Sequence, residues 1–434
     1  MKYSRYNSML NLSNNFHILY NALSDQFILL KESAYRDISE YNANMLKGHN
    51  TILYDQLVSI YGIIEDSFDE YEVVLDKIRQ TDNNDSIYHL HVNPTIDCNF
   101  RCWYCYEDHV KGSKMTTETI ESVKKLMQNT VENQLNLRTF NLSFFGGEPL
   151  LFFNIIAKPL IEYIHSLCIR RGIKVNIHFT SNGFLLNKTI VEFLQDKNVC
   201  FQITLDGGKE THDKTRFTKG GIGTYDTIMA NIIQLVESNI KVILRINYTS
   251  TNIFNVSNIL NDIDAIGQSY RDDIDVDFQK VWQDTNAETD IAVIETLNEN
   301  IKQFHAKGFR VSSHKILDLV RNSCYGDKRY HALVNYNGDV FNCTARDFSS
   351  PNRAGYLCSD GTIVWENNSL EKRLSLKFSK PVCHTCRIAP LCGGGCCQRA
   401  LESHKENLCI YSYSETDIDQ IILNRFEFMF ISQK

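Results

Sequence analysis

Three cysteines stand close together in the stretch Cys98-Asn99-Phe100-Arg101-Cys102-Trp103-Tyr104-Cys105, directly after an expected β-strand. Three thiolates on one short loop can hold three irons of a [4Fe–4S] cube, whose usual ligand set is four cysteines. One iron is then open to an exogenous ligand, which indicates chemistry rather than electron transfer alone. A zinc or redox-active cysteine group is the alternative, although zinc would usually take a fourth His or Cys in register.

A second motif, Phe144-Phe145-Gly146-Gly147-Glu148-Pro149, lies at the end of the next expected strand. Paired glycines let the backbone approach a ligand closely. The carboxylate of Glu148 could accept hydrogen bonds from an ammonium group. Alone, such a run is more often an ordinary strand-to-helix turn. Its position one β–α unit after the cysteine triad favours a functional interpretation.

Together these two motifs resemble those of the radical S-adenosylmethionine (radical SAM) enzymes, including the aromatic Tyr104 before the third cysteine. The resemblance implies that S-adenosylmethionine chelates the open iron and is cleaved reductively to a 5′-deoxyadenosyl radical, which abstracts a substrate hydrogen. Glu148 would then bind the methionine amino group. The cofactor-binding residues expected on this basis are Tyr104, Gly146, Gly147, Glu148, Ser181, Asn182, Thr204, Asp206, Arg216, Arg245 and Asn247. Apart from the GGEP residues, these positions fit turn residues or buried polar groups of a barrel about as well.

The cysteines of the last third follow a regular spacing, which is Cys324-x13-Gly338-x4-Cys343, then Cys383-x2-Cys386-x5-Cys392-x3-Cys396, and later Cys409. Their order resembles that of SPASM domains, which extend radical SAM enzymes that modify peptides and proteins. The resemblance implies two auxiliary [4Fe–4S] clusters. The first set is Cys383, Cys386, Cys392 and Cys409, and the set nearer the barrel is Cys324, Cys343 and Cys396. Seven thiolates are one short of two complete sites, so the nearer cluster either has an open or non-cysteine site or recruits Cys358 or Cys397. Zinc sites are the alternative.

One departure from a related group bears on the reaction. Sulfatase maturases carry an Asp after the second SPASM cysteine as the proposed substrate base, whereas this chain has Thr344. Asp347 is the candidate base here, although a surface turn or a structural ion pair explains it at least as well. Formylglycine formation therefore loses support.

Strand-like and helix-like segments alternate in the middle of the chain, which is typical of parallel sheets with right-handed crossovers. The strands are expected at 88–95, 137–145, 174–180, 200–206, 241–249 and 273–281. Because no glycine-rich dinucleotide loop follows the first strand, we expect an α/β fold with a partial (β/α)6 TIM-like barrel rather than a Rossmann sheet. Its chemistry belongs at the C-terminal ends of the strands. The three expected domains are residues 1–85, 86–315 and 316–434.

The N-terminal part is expected to hold a hairpin at 16–30 and helices near 32–45, 52–61 and 68–80. It resembles the leader-binding modules of peptide-modifying enzymes, which add a precursor peptide to a strand edge. A helical cap that only covers the barrel is the alternative. A hairpin with three helices makes the N-terminal part a small α+β module. In the last third, long periodic segments are scarce, so metal is expected to organise this cysteine-rich region.

Composition limits the partners. The chain of 434 residues has 45 Lys and Arg against 52 Asp and Glu, a net charge of −7 that argues against nucleic-acid binding. No run of 18 apolar residues and no signal-peptide core occur, so we expect no membrane span and a cytoplasmic location. The chain has 14 cysteines, of which five lie between Cys383 and Cys397 and three between Cys98 and Cys105. In a reducing compartment such clusters are more typical of metal ligands than of disulfides.

The sequence therefore predicts a peptide maturase that cross-links a ribosomally made precursor peptide. Its electrons would come from a flavodoxin or ferredoxin. Within enzymes the alternative is a sulfatase maturase. From another class, the alternative is a non-catalytic iron–sulfur electron carrier or redox sensor.

Overall fold

The computed structural model describes residues 1–13, 15–264, 266–288, 290–312, 323–403 and 408–430. The expected boundary at 315/316 between the barrel and the cysteine-rich domain lies outside the described residues.

The secondary-structure elements follow one another in three stretches. The first contains β1 (Lys2–Tyr3), β2 (Asn7–Ser13), β3 (Phe16–Asn21), β4 (Gln26–Lys31), α1 (Glu32–Glu40), α2 (Ala43–His49), α3 (Thr51–Ser59), β5 (Ile63–Ile64) and α4 (Glu70–Asp82). The second contains β6 (Ile87–Val92), α5 (Thr117–Asn133), β7 (Thr139–Phe144), α6 (Lys158–Ile169), β8 (Lys174–Ser181), α7 (Lys188–Leu194), β9 (Val199–Leu205), α8 (Lys209–Thr215), α9 (Tyr225–Glu237), β10 (Lys241–Tyr248), α10 (Ser257–Ile263), β11 (Ile274–Lys280), α11 (Ile291–Ala306) and β12 (Arg310–Ser312). The third contains β13 (His331–Val334), β14 (Asp339–Phe341), β15 (Gly355–Leu357), β16 (Ile363–Trp365), α12 (Ser369–Leu374), α13 (Ala389–Cys392), α14 (Cys397–Glu402) and α15 (Glu415–Phe430).

Packing divides the described chain into two units. One comprises residues 1–84, 323–329 and 370–430, and the other comprises 85–312 and 330–369. We call them the terminal unit and the barrel unit. Residues 370–430 at the end of the chain thus pack with residues 1–84 at its beginning. The cysteine-rich region as a whole does not form a separate unit.

The barrel unit contains one sheet of 11 strands in the order β12-β11-β10-β9-β8-β7-β6-β13-β14-β15-β16. Strands β6 to β12 are parallel, and β13 adds to β6 in parallel before an antiparallel meander. All six expected strands are present, with ends that differ by a few residues. Since β6 to β12 are neighbours in chain order, there is no switch point of the doubly wound type among the described strands, which confirms the partial barrel.

The two faces of this sheet differ because successive side chains of a strand point to opposite sides. On the helix-covered face, Phe144, Phe179 and Phe201 stack across three strands with ring centroids 4.8 Å apart at each step. The other face is polar: Asn176 donates to Asn141 (2.7 Å), whose amide lies 3.3 Å from His89. The strands therefore present an apolar core to the helices and a polar interior that leads to the strand ends.

One helical run, Pro149–Ile169, is long and apolar enough to span a membrane by length and composition. A helix packed in a protein core passes the same test. Here Leu160, Ile161 and Ile164 are fully buried in the apolar core of the barrel unit. The argument from the sequence, that no long apolar run occurs, therefore does not cover this helix. Its burial in the core of the barrel unit accounts for its apolar composition instead.

In the terminal unit, β2, β3 and β4 form an antiparallel sheet that is covered on both faces. One face packs through Leu19 and Leu30 on the helices α1 to α3. The other packs through Ile18 and Tyr20 on residues of the last third, such as Ile422. The expected hairpin is present as β3 and β4. Strand β2 and the 16-residue α15 were not anticipated, because neither segment has a strong periodic pattern in the sequence.

Candidate functional site

A polar cleft opens at the C-terminal ends of the barrel strands. It is lined by residues that follow β6 and β7 and by the inner faces of β8, β9, β10 and β11. Among them are Cys98, Cys102, Tyr104, Cys105, Gly146, Gly147, Ser181, Asn182, Thr204, Arg216, Arg245 and Asn247. Twelve of the residues expected to form the radical site are thus neighbours around one cavity, although they are spread over 150 positions of the chain.

The cysteine triad lies on a loop that is already folded. The amide of Cys105 donates to the carbonyl of Cys102 (3.1 Å), and the amide of Phe100 donates to Cys98 Sγ (3.4 Å). Asn182 Nδ2 lies 3.9 Å from the same sulfur. None of the three cysteines forms a disulfide with another described residue. The loop is therefore ordered by its own main-chain hydrogen bonds, and the sulfur of Cys98 is held by contacts within the barrel unit.

The electrostatic surroundings of the triad combine burial with a cation. Burial raises the pKa of the three thiols, that of Cys105 to about 11, whereas the guanidinium of Arg216 lowers all three. Arg216 is 8% exposed, and its Nε has no hydrogen-bond partner among the residues that the structure describes. Thiolate ligands must be deprotonated, so a buried cation beside them fits a site for an anionic metal cluster.

The arrangement differs from that of a mononuclear metal site. Within the described ranges, no three His, Cys, Asp or Glu side chains converge as the ligands of one ion would. In an iron–sulfur cube each thiolate binds a different iron, so its ligands stand farther apart than those of a single ion.

Both glycines of the GGEP turn are required by packing. A Cβ on Gly146 would lie 2.7 Å from the carbonyl oxygen of Thr95, and Gly146 has a φ of +82°. A Cβ on Gly147 would lie 2.0 Å from the carbonyl oxygen of Asp97. The turn after β7 therefore packs directly on the backbone that leads into Cys98, and only glycine permits this approach.

Glu148 is fully buried, and its carboxylate is hydrogen-bonded by groups of the protein itself. Its carboxylate accepts hydrogen bonds from the amides of Leu150 (3.0 Å) and Asn182 (2.8 Å) and from Ser181 Oγ (2.8 Å). Burial raises its pKa, and these donors oppose the rise. Glu148 thus joins the turn after β7 to the end of β8. Its role toward an ammonium group stays a prediction.

A hydrogen-bond network fills the base of the cleft. The hydroxyl of Tyr104 donates to the carboxylate of Asp206 (2.7 Å) and accepts from Arg216 Nη1 (2.7 Å) and Asn247 Nδ2 (3.2 Å). Asn247 in turn accepts from Arg245 Nε (3.0 Å). Burial raises the pKa of Asp206 to about 6, against the lowering effect of Arg216. Asp206 itself is 1% exposed and reaches the cleft through Tyr104.

Sequence reasoning missed several residues of the cleft. Glu107 lines it and accepts from the amide of Gly147 (2.7 Å), and burial raises its pKa to about 7. Tyr106 and Trp282 stack at its rim with ring centroids 5.5 Å apart. Glu107 and Tyr106 directly follow the triad, which was the available signal. Trp282 lies just beyond β11, and no sequence motif indicated that it would reach the cleft.

Four cysteines of the terminal unit lie near one another. Burial raises the pKa of Cys383 to about 11 and that of Cys392 to about 12. Negative charge on neighbouring thiolates adds to both shifts, and the neighbours are Cys386 and Cys409 in each case. The structure thus gathers the four residues that the resemblance assigns to one auxiliary cluster.

The second expected set is divided between the two units. Cys324 and Cys396 belong to the terminal unit, and Cys343 belongs to the barrel unit. Of the candidates for a further ligand, Cys397 is 1% exposed and hydrogen-bonds to Asp327, and burial together with that carboxylate raises its pKa. Cys358 lies in the barrel unit and is half-buried. The ligand set of this cluster stays a prediction.

Asp347, the candidate base, lies in a turn. Its Oδ1 accepts from Ser349 Oγ (2.6 Å), the amide of Ser349 (3.3 Å) and Asn352 Nδ2 (2.5 Å). The hydrogen bond from Ser349 is the main cause of its lowered pKa. These contacts are those of a turn-capping carboxylate, and its role as a base stays a prediction.

Comparison with known proteins agrees with this geometry. The profile of the radical SAM superfamily matches residues 92–266. A cysteine-type anaerobic sulfatase-maturating enzyme of Clostridium novyi is 30% identical over 36% of this chain and 43% of its own length. The radical SAM cyclopropyl synthase TigE of Paramaledivibacter caminithermalis is 24% identical over 62% of this chain and 57% of its own. The chain thus spans about half the length of these curated relatives.

Two solved structures share the fold. One is native anSMEcpe with bound AdoMet, which covers 79% of this chain and 100% of its own with a TM-score of 0.60 and 19% identity. The other is Streptococcus suis SuiB bound to its precursor peptide SuiA, which covers 94% of this chain and 98% of its own with a TM-score of 0.55 and 14% identity.

The resemblance inferred from the cysteine motifs is therefore confirmed. The family implies S-adenosylmethionine and a [4Fe–4S] cluster, and the cysteine-rich C-terminal region is consistent with a SPASM domain. This chain contains a radical SAM domain at residues 92–266 and is related to the sulfatase maturases and peptide-modifying radical SAM enzymes.

Proposed function

We propose that the protein is a radical SAM peptide maturase, which installs a side-chain cross-link (thioether, C–C or C–O) or a related oxidative modification in a ribosomally made precursor peptide. The observation that carries this proposal is the shared cleft, in which the cysteine triad, the double-glycine turn and the polar ends of β8 to β10 meet.

The residues of the cleft fit the family's cofactors. Cys98, Cys102 and Cys105 would hold the cluster, with Arg216 as a buried positive charge beside them. When bound, the cluster and S-adenosylmethionine supply a 5′-deoxyadenosyl radical, which removes a hydrogen atom from the substrate.

The chain itself shapes the place where this happens. Ser181, Asn182 and Thr204 offer hydrogen-bonding groups from two neighbouring strand ends. Arg216 and Arg245 supply positive charge for a carboxylate, which is the kind of pairing that a guanidinium favours. Tyr104 and Asp206 join the triad loop to β9 and so hold these groups in a fixed arrangement.

Two observations support a peptide as the substrate. A structural relative, SuiB, has been solved with a precursor peptide, and anSMEcpe has been solved with the peptide Cp18Cys. In addition, the terminal unit contains a three-stranded sheet with helices, and its edge strands could accept a leader by strand addition. We assign the leader to residues 1–85 on this ground.

The auxiliary clusters complete the proposal. Two [4Fe–4S] clusters in the C-terminal cysteines would accept the electron that leaves when the substrate radical forms its new bond. A flavodoxin or ferredoxin would supply the electron that starts the reaction. A cytoplasmic location is part of the same proposal.

The test begins with the anaerobically reconstituted full chain. We expect 5′-deoxyadenosine from S-adenosylmethionine and dithionite, and a change in the EPR spectrum of the reduced clusters when S-adenosylmethionine is added. An electron carrier or redox sensor would show neither. Co-expression with short peptides encoded beside the gene, followed by fragmentation, should reveal a peptide that has lost two hydrogens. A full set of such peptides with unchanged masses would refute the peptide substrate.

A sulfatase-maturase activity is the second candidate, favoured by the 30% identity to the sulfatase-maturating enzyme of Clostridium novyi. The two functions differ in product. A maturase of that kind converts one Cys or Ser side chain to an aldehyde, which a hydrazide reagent captures. A cross-linked peptide has no aldehyde and yields linked fragments.

A further inference from the structure

A small glycine-rich flap, Phe217–Gly223, lies on the loop that carries the cysteine triad. The flap is closed by a bridge between Phe217 and Gly223 and by a hydrogen bond from the amide of Thr218 to the carbonyl of Ile222 (3.1 Å). Within the flap, Ile222 is 66% exposed. The flap belongs to none of the helices or strands, so its position depends on what it touches.

Its contacts are with the residues just before and within the triad loop. Thr218 forms an isolated β-bridge with Phe100, and the amide of Lys219 donates to the carbonyl of Asn99 (3.0 Å). Lys219 Nζ also forms an ion pair with Asp97 Oδ1 at 2.7 Å. Two main-chain links and one ion pair therefore fasten the flap to three residues beside Cys98, which are Asp97, Asn99 and Phe100.

Asp97 connects this ion pair to the rest of the site. Its Oδ1 also accepts from the amide of Cys98 (2.8 Å), and its Oδ2 accepts from the amide of Gly112 (2.8 Å). Its carbonyl oxygen accepts from the amide of Glu148 (2.9 Å). Asp97 thus fixes the start of the triad loop, the end of that loop and the double-glycine turn. Among the described residues, Lys219 is the only ionic partner of Asp97.

We propose that Lys219 is a positioning residue for the iron–sulfur loop. Through Asp97 and the flap it holds the cysteine ligands in their bound arrangement and slows the loss of the cluster. This inference rests on the proposed function, because it takes the triad to be the site of the cluster.

The physical reason is the cost of ordering a short loop with three ligands. A loop that is already ordered loses less conformational entropy when it binds, so its metal is held more tightly. Asp97 is 15% exposed and Lys219 38%, so water screens this ion pair less than a surface pair. Lys209, by contrast, pairs with Asp226 on the surface nearby, where the two side chains are 55% and 70% exposed.

The test compares Lys219→Met and Lys219→Arg with the control Lys209→Met in the reconstituted full chain. The measured quantity is the rate at which a chelator removes iron from the triad. A variant with all three triad cysteines replaced by alanine defines the iron that the other cysteines hold. We expect Lys219→Met to lose triad iron roughly fivefold faster, as the loss of one partly buried contact implies. Lys219→Arg keeps the positive charge and should therefore lose triad iron at nearly the wild-type rate. Lys209→Met should lose it at the wild-type rate.

The outcomes separate the two proposals. Equal rates for Lys219→Met and the wild type would overturn the positioning role and leave the proposed function intact. A wild-type chain that holds no more iron than the triple-alanine variant would overturn the proposed function. If Lys219→Met folds less well by circular dichroism, Lys219→Arg decides, because failure of the arginine to slow iron loss would also overturn the positioning role.

Discussion

The two cysteine groups of this protein are built in opposite ways. The triad of the barrel unit lies on one loop at the end of β6, and neighbouring loops hold that loop through Asp97, Asn182 and the double-glycine turn. The quartet of the terminal unit, Cys383, Cys386, Cys392 and Cys409, comes from several short segments: Cys383 lies in a 3-10 helix (Pro381–His384), and Cys392 is the last residue of α13.

The quartet is nevertheless part of a core. Cys383 and Cys386 pack against an apolar cluster that includes Ile18 and Tyr20 of β3. Arg387, which follows Cys386, donates to Ser8 of β2 (2.8 Å) and pairs with Asp419 of α15 (2.5 Å). The comparison suggests a difference in role. The barrel unit orders the triad for chemistry, whereas metal at the quartet would order the terminal unit.

The largest effect is expected at the triad. Cys102→Ala should lower the formation of 5′-deoxyadenosine by about a thousandfold or more, because a cluster that lacks one of three ligands cannot keep its open iron in place. The melting temperature of the barrel unit should change little, because Cys102 is only partly buried and packs against its core rather than inside it. Cys168→Ala, a change at a buried thiol of the barrel core, is the matched control and should keep its activity. A triad variant with wild-type turnover would contradict the assignment.

Loss of metal at the quartet should act on stability. We expect Cys386→Ala in the reconstituted chain to lower the melting temperature of the terminal unit by about 10 °C, which corresponds to about 3 kcal/mol for a unit of this size. Hydrogen exchange should rise in β3 and β4, which share the core with the quartet. The exchange of β7 and β8 serves as the internal control. If both sets of strands were protected equally in the variant and the wild type, the proposed structural role of the quartet would be wrong.

The sequence predicted the barrel well because its strands alternate in polarity and its motifs follow strand ends. Period-two alternation put Arg245 and Asn247 on one face of β10, and the cysteine loop followed from its motif after a strand end. The terminal unit was harder. Its sheet packs with residues more than 350 positions away, such as Ile388 and Ile422, and no local pattern reports such a contact. For the same reason, the ion pair of Lys219 with Asp97 and the place of Trp282 at the cleft were not predictable.

A smaller effect is expected at the contact between the double-glycine turn and the triad loop. In Gly147→Ala the new Cβ would lie 2.0 Å from the carbonyl oxygen of Asp97, so one of the two backbones must move. Such overpacking costs about 3 kcal/mol, and the movement should also reduce turnover, because it shifts the loop that holds Cys98. Gly48→Ala, where nothing lies within 4 Å, should leave turnover unchanged and should raise stability slightly, because Gly48 lies in helix α2. Chemical denaturation and turnover assays together test this, and an unaffected Gly147→Ala variant would show that the turn does not support the triad.

The smallest effect is expected at Asp347, and it separates a turn-capping role from a catalytic one. All three of its hydrogen bonds end on Oδ1, which an asparagine retains, so Asp347→Asn should cost less than about 1 kcal/mol. The lowered pKa of this carboxyl group makes it a weak proton acceptor, which also favours the turn-capping role over the catalytic one. Turnover in Asp347→Asn should therefore stay within a few-fold of the wild type, whereas loss of a general base would lower it by about a hundredfold or more. A large loss of turnover with an unchanged melting temperature would make Asp347 the base that the sequence predicted, and the region after Cys343 would then belong to the chemistry of the cleft.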